Sequence, residues 1–256
     1  MSNTIPPFEQ IRGFNFTVPQ VEKLMRMQDT LNTYVHPKWR DQDFNWELAI
    51  LDECMEIHGH LGWKWWKGAN YKQGVTAANV AQIKLELIDI LHFAVSRYIQ
   101  DYPVLIGRNA HDLAMRLSTT CTVPSFEFSS LICHFQADVA NRKFIESILI
   151  NLMQLMHVLR MSEQEVLETY TQKYVLNKFR QDHGYKDGSY VKEWNLSTGL
   201  GILPDSGCEA TAVLTFEDNE VLAKEVKHIE LEGQDTADEH ILYSRLEALY
   251  NSRLNQ

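Results

Sequence analysis

The sequence predicts an all-α protein, on three observations. Apolar residues recur at helical spacing through most of the chain from Val18 onward. Alternating strand patterns are sparse, with Ala212 to Phe216 the best candidate. Helix starts are signalled by capping-box spacing at Ser162 with Glu165 and at Thr236 with Glu239.

The elements follow in order. Pro19 suits a first helical position, and Val21, Leu24, Met25, Met27 and Leu31 continue the apolar stripe of a first helix. Further helices are predicted near 44–61, 76–101, 108–118, 140–160 and 162–182, and a last one near 236–253. Gly184, Gly188, Gly199, Gly201, Pro204 and Gly207 punctuate 183–216, which reads as loop. The expected organisation is a single domain over 1–256, with a loop insertion at 195–216 and a C-terminal helical extension at 226–256.

Composition narrows the function classes. Hydrophobic residues at 45% and charged residues at 23% exclude a disordered chain. With 24 basic and 34 acidic side chains the net charge is -10, which argues against a protein that tracks a nucleic-acid backbone. Cys54, Cys121, Cys133 and Cys208 form no C-x-x-C, so reduced thiols are expected rather than a zinc or redox site. The N-terminus lacks the basic and apolar regions of a secretory signal, and no stretch reads as a membrane span. A cytoplasmic location follows as the expectation, in a cell or in a virus-infected host.

Two acidic pairs stand out. Glu53 and Glu56 are three apart on one predicted helix, and Trp46, Ala49, Ile50 and Ile57 fall on Glu53's side. Glu86 and Asp89 repeat the arrangement, with Ile83, Ile90 and Phe93 beside Glu86. Either pair alone reads as surface acids on a solvated face before anything else. Both together, set in apolar stripes, point to carboxylates that need a cation, and oxygen ligands suit magnesium, or manganese in its place.

A row of donors lies further on. Lys173, Asn177 and Arg180 occur at i, i+4 and i+7 on one helix face, and Lys186, Tyr190 and Lys192 follow in a glycine-bearing loop. The plain reading is a basic helix end favoured by the helix dipole. The alternative is a phosphate-binding row, which gains weight in a chain that is acidic overall. Trp65 lies in the run 63–67, and His92 and Phe93 follow the second acidic pair. Such rings are core residues in most proteins, or faces on which a nucleobase stacks. Gln28, Asn32 and Asn219 are surface amides or caps, or readers of a base edge.

Taken jointly, MQDTLN at 27–32, ECME at 53–56, GWKWWK at 62–67, ELIDILHF at 86–93, KYVLNKFRQDHGYKDGSYVKEW at 173–194 and EDNEVL at 217–222 resemble the all-α dimeric dUTPases. That family shares its helical core with MazG-type nucleotide pyrophosphatases and phage dCTPase-dUTPases. The resemblance covers roughly 20–225. It implies a helical bundle in which Glu53, Glu56, Glu86 and Asp89 bind magnesium, with Glu53 also activating the attacking water. It further implies that Lys173, Asn177, Arg180, Lys186, Tyr190 and Lys192 hold phosphates. Gln28, Trp65, His92, Phe93 and Asn219 would surround uracil and deoxyribose, with Asn32 a weaker candidate. The expected reaction converts dUTP, and dUDP, to dUMP in a homodimer whose partner segment completes the pocket.

Two departures from the family pattern concern the donor region. Tyr174 stands where an asparagine is expected, and about twenty residues, Asn195 to Phe216, separate KEW from EDN, which leaves the placement of Asn219 open. Two other functions compete with this one: a dCTP or dual dCTP/dUTP pyrophosphatase, and a helical interaction protein that has kept the scaffold without the chemistry.

Overall fold

The computed structural model describes residues 8–11, 13–67, 74–103, 106–118, 121–124, 127–197 and 213–253. Among them α-helix dominates, and the strands are confined to two antiparallel pairs. The chain divides into two compact units, Met1–Tyr170 and Thr171–Gln256, with the boundary inside one continuous helix.

The first unit contains α1 (Val18–Val35), α2 (Trp46–His60), α3 (Val80–Asp101), α4 (Ile106–Leu117), α5 (Phe128–Ala140), α6 (Ile145–Val158) and the start of α7 (Glu163–Asp182). A short strand β1 (Phe8–Ile11) pairs with β2 (Cys121–Pro124). Helix α3 is central: it packs on α1, α2 and α6. Its sequence explains the position, because Ile83, Leu87, Ile88, Leu91, His92 and Ser96 are all buried and lie around much of the helix. Ile50 and Ile57 of α2 are equally buried.

Local chemistry sets the helix starts. Pro19 sits in the first turn of α1, and the Gln20 side-chain oxygen accepts from the Thr17 backbone N–H at 2.8 Å. Asn45 caps α2 by accepting from the Leu48 N–H at 3.1 Å. Ser162 caps α7 through the Glu165 N–H at 3.1 Å, as its spacing predicts.

The second unit holds the rest of α7, a hairpin of β3 (Glu193–Ser197) and β4 (Val213–Glu217), then α8 (Asp218–Leu231) and α9 (Glu239–Ser252). Its core is aromatic, with Phe179, Trp194 and Tyr250 in mutual contact at centroid separations of 5.1–5.9 Å.

Several expectations change. Thr236 does not cap the last helix; Asp238 does, accepting from His240 N and Ile241 N, because a carboxylate directly before Glu239 meets both orphan N–H groups. The stretch 183–216 is not all loop: 193–197 and 213–216 are strand, and residues 198–212 lie outside the described set. Helices α5 and α8 were not anticipated.

Core packing of this kind carries a measurable cost when cut. Leu87→Ala in fully buried α3 should destabilise the protein by about 2–5 kcal/mol in urea unfolding. A loss below about 1 kcal/mol would remove α3 from the core role assigned to it.

Candidate functional site

In the first unit, α2 and α3 bring three of the predicted acids together. One carboxylate oxygen from each of Glu53, Glu86 and Asp89 lies within 4.8 Å of the others. Glu86 is buried, and Glu53 and Asp89 are half-buried. Three like charges so close, partly withdrawn from water, repel strongly unless a cation or protons intervene. All donors are oxygen, the set suited to a hard divalent ion such as magnesium.

Glu56 does not join this group. Three residues beyond Glu53 the helix has turned by 300°, and Glu56 shares the exposed side with Asp52 and Met55. Of the four acids expected to face a common interior, the structure brings three together.

His60, not anticipated from the sequence, stands on the last turn of α2 with its Nε2 3.1 Å from the Glu86 Oε1. It is seven residues past Glu53, two full turns, and that spacing was the signal available. Cys54 points the other way and is fully buried; burial, with the Glu53 charge second, pushes its thiol up to about 12. It stays a neutral thiol and takes no part in metal binding.

The candidate base readers fall into two sets. Gln28 of α1, with His92 and Ser96 of α3, Asn32 of α1 and Tyr170 of α7, forms one hydrogen-bonded cluster. Gln28 and His92 are each 3% exposed, and the Tyr170 ring stacks on His92 at 3.8 Å between centroids. Phe93 lies against Trp46, one turn beyond Asp89, with centroids 6.3 Å apart. Trp65 is different: it lies in a short 3-10 turn and is 67% exposed, touching Trp66. Ser96 and Tyr170 were missed, although each sits one turn from a residue that was singled out, His92 and Lys173.

In the second unit the donor row converges on the start of α8. Lys173, fully buried, donates from Nζ to the Asn219 Oδ1 at 2.9 Å. Arg180 donates from Nε and Nη2 to the two oxygens of Asp218, both at 2.8 Å, and from Nη1 to Asn177 at 3.0 Å. The Tyr190 hydroxyl donates to the same Asp218 carboxylate at 2.9 Å. Lys186 and Lys192 are exposed, the latter with its Nζ 5.7 Å from the Tyr185 ring centre. Asp218 itself escaped the sequence reading.

Two local devices hold this arrangement. Gly184 adopts φ +90°, and its carbonyl accepts from Ser189 and Tyr190; a Cβ there would meet the Ser189 hydroxyl at 1.9 Å. The hairpin fixes α8: strand pairing runs from Ser197↔Val213 to Glu193↔Glu217, and the Asp218 N–H donates to the Lys192 carbonyl. The insertion thus opens at the far end of the strand pair, which is why its length leaves Asn219 beside Lys173.

The electrostatics of Asp218 follow from these contacts. Burial alone would raise its carboxyl, but the Arg180 hydrogen bonds and charge, the Tyr190 hydroxyl and the Lys173 charge outweigh burial and hold it below its usual range. Burial, then the Asp218 charge, pushes the Tyr190 hydroxyl far up, so it remains a donor. Because the Asp218 pKa is depressed on folding, its stabilisation is present above the ordinary value of 3.8 and is lost as pH falls through the folded value. Asp218→Asn should therefore cost about 3–5 kcal/mol at neutral pH, the penalty for stranding a buried partner charge. The gap from the unaltered protein should narrow on acidification below the normal carboxylate range. A gap that persists undiminished in strong acid would show that charge is not what Asp218 contributes.

Comparison with known proteins identifies the family of the chain. The family model described as dUTPase matches residues 20–185, well over half of the chain and inclusive of α1, the acids of α2 and α3, and the donor row of α7. A search of curated proteins finds no significant match. The helical core and the carboxylates gathered between α2 and α3 are thus those of a chain that belongs to the all-α dUTPase family, enzymes of the dUTP diphosphatase class.

Proposed function

We propose that the protein hydrolyses dUTP to dUMP and pyrophosphate, and dUDP to dUMP and phosphate, in a reaction that depends on magnesium or manganese. The observation that carries this reading is the set of Glu53, Glu86 and Asp89 oxygens within 4.8 Å of one another in a chain of this family. These three residues would hold the ion together with Glu56, whose side chain would turn in from its exposed flank. When bound, the ion supplies positive charge to the triphosphate oxygens.

Glu53 takes a proton from water, whose oxygen attacks the β-phosphorus in line. The bond from that phosphorus to the oxygen bridging it to the α-phosphorus breaks, and dUMP leaves with the bridging oxygen. Lys173, Asn177, Arg180 and the exposed Lys186 and Lys192 serve the phosphate groups. The Tyr190 hydroxyl, given to Asp218, serves them by holding that carboxylate and through it Arg180. Gln28, His92 and Phe93 meet the base and sugar, and exposed Trp65 and Asn219 complete the surroundings.

The protein works in this reading as a homodimer in the cytoplasm, keeping uracil out of DNA and supplying dUMP. No helix among the described residues is long and apolar enough to cross a membrane. Leu48 and Met55, seven apart on α2 and 62% and 45% exposed, give an apolar stripe suited to a second copy.

Product release from dUTP, dUDP, dCTP and dTTP with magnesium, with and without chelator, tests the reading directly. Metal-dependent dUMP formation without dCMP supports it; comparable dCMP would transfer it to a dual-specificity enzyme. Glu53→Gln should lower kcat by about 10²–10⁴-fold, the usual worth of a general base, with unfolding unchanged. Near-normal turnover in that variant would take Glu53 out of the chemistry.

A further inference from the structure

The amide cluster of the first unit has a direction that can be deduced rather than assumed. Nitrogen and oxygen of an Asn or Gln amide are interchangeable in shape, so one atom that can only accept must anchor the chain of donors. The backbone carbonyl of His92 is such an atom. The Ser96 hydroxyl lies 2.8 Å from it and must give it its single proton. Ser96 Oγ can then only accept from Asn32, at 2.9 Å, which makes that Asn32 atom Nδ2. Asn32 Oδ1 in turn faces Gln28 at 2.9 Å, so Gln28 donates there through Nε2.

The other end of the Gln28 amide is therefore its oxygen. It accepts from the Tyr170 hydroxyl at 2.9 Å and from His92 Nδ1 at 2.6 Å, which requires the proton of His92 to be on Nδ1. Both lone pairs of the Gln28 carbonyl are used. One Nε2 proton has no acceptor among the described residues, so Gln28 offers an incoming base a donor and no acceptor. Turning the amide over would disrupt three hydrogen bonds in a cluster where Tyr170 and Ser96 are fully buried.

From this we infer that Ser96 and Tyr170 are specificity-determining positioning residues: they lock Gln28 with its donor outward, which favours a pyrimidine with a carbonyl at position 4 over one with an amino group there. Uracil carries an acceptor at that position and cytosine a donor. The inference rests on the assignment of Gln28 to the base, proposed above.

The test measures kcat/KM for dUTP and dCTP on the full-length protein and on Ser96→Ala, Tyr170→Phe and Gln28→Ala. In Ser96→Ala and Tyr170→Phe the dUTP to dCTP ratio should fall on the order of tenfold, with dCTP turnover rising, because a freed amide can present its oxygen. Parallel slowing on both nucleotides, with the ratio kept, would overturn the lock and leave only a structural role. A ratio indifferent to Gln28→Ala would overturn the base assignment itself, a different result from the first. Nitrogen-15 spectra of the unaltered protein give a readout independent of folding in the variants: His92 should carry its proton on Nδ1, and an Nε2–H tautomer would refute the deduced direction.

Discussion

A carboxylate inside a helical protein must be answered, and how each is answered organises this molecule. Asp218, 2% exposed, is met by a bidentate guanidinium and a tyrosine hydroxyl, so its charge is balanced within its own unit. Glu86, 3% exposed, has a different setting, with His60 on one oxygen and two further carboxylates close by. The first arrangement is complete as it stands. The second would gain stability from a divalent ion held there, and the proposed metal-dependent reaction rests on that packing of α2 on α3.

The position of α3 makes this possible. A helix buried on several sides holds its side chains in few rotamers, so Glu86, Asp89, His92 and Ser96 along it are aimed by the core. Glu86 and Asp89 look toward α2, and two turns on, His92 and Ser96 look toward α1. Ile83, Leu87 and Ile90 between them keep the geometry rigid. One helix thereby contributes to both the acidic group and the amide cluster, through residues about two turns apart.

Much of this was legible in the sequence, and the limits have physical causes. The acidic pairs were readable because E-x-x-E and E-x-x-D fall in apolar stripes, and α1, α2, α3 and α7 because long helices repeat their period often enough to see. Spacing alone does not place Glu56: it lies on the exposed flank of α2 outside the group of three, whereas Glu86 and Asp89, at the same spacing, stay together. Helix α8 was hidden because it begins directly from β4 with Glu217 and Glu220 in the capping positions, rather than the Ser or Thr that a capping box leads one to seek. The β1–β2 pair has four residues a strand, too few for alternation to register. Hydrogen-bond direction within the amide cluster lies beyond any pattern in sequence, because it is set by a backbone carbonyl meeting a serine brought near it by the helix turn.

The same logic explains how an insertion can be tolerated next to a functional motif. A long connector between KEW and EDN would displace Asn219 if the chain between them determined its position. Here the position is set by the backbone ladder from Glu193↔Glu217 to Ser197↔Val213 and by the Asp218 N–H on the Lys192 carbonyl. Added residues at the open end of a hairpin change loop-closure entropy only slowly with length and leave the closed end in register. Asp218 then reaches Arg180 and Asn219 reaches Lys173 because two adjacent residues at the start of α8 face two residues seven apart on α7. A short strand pair next to α8 thus sets Asp218 and Asn219 beside α7 by its own register rather than by the length of the connection from Ser197 to Val213.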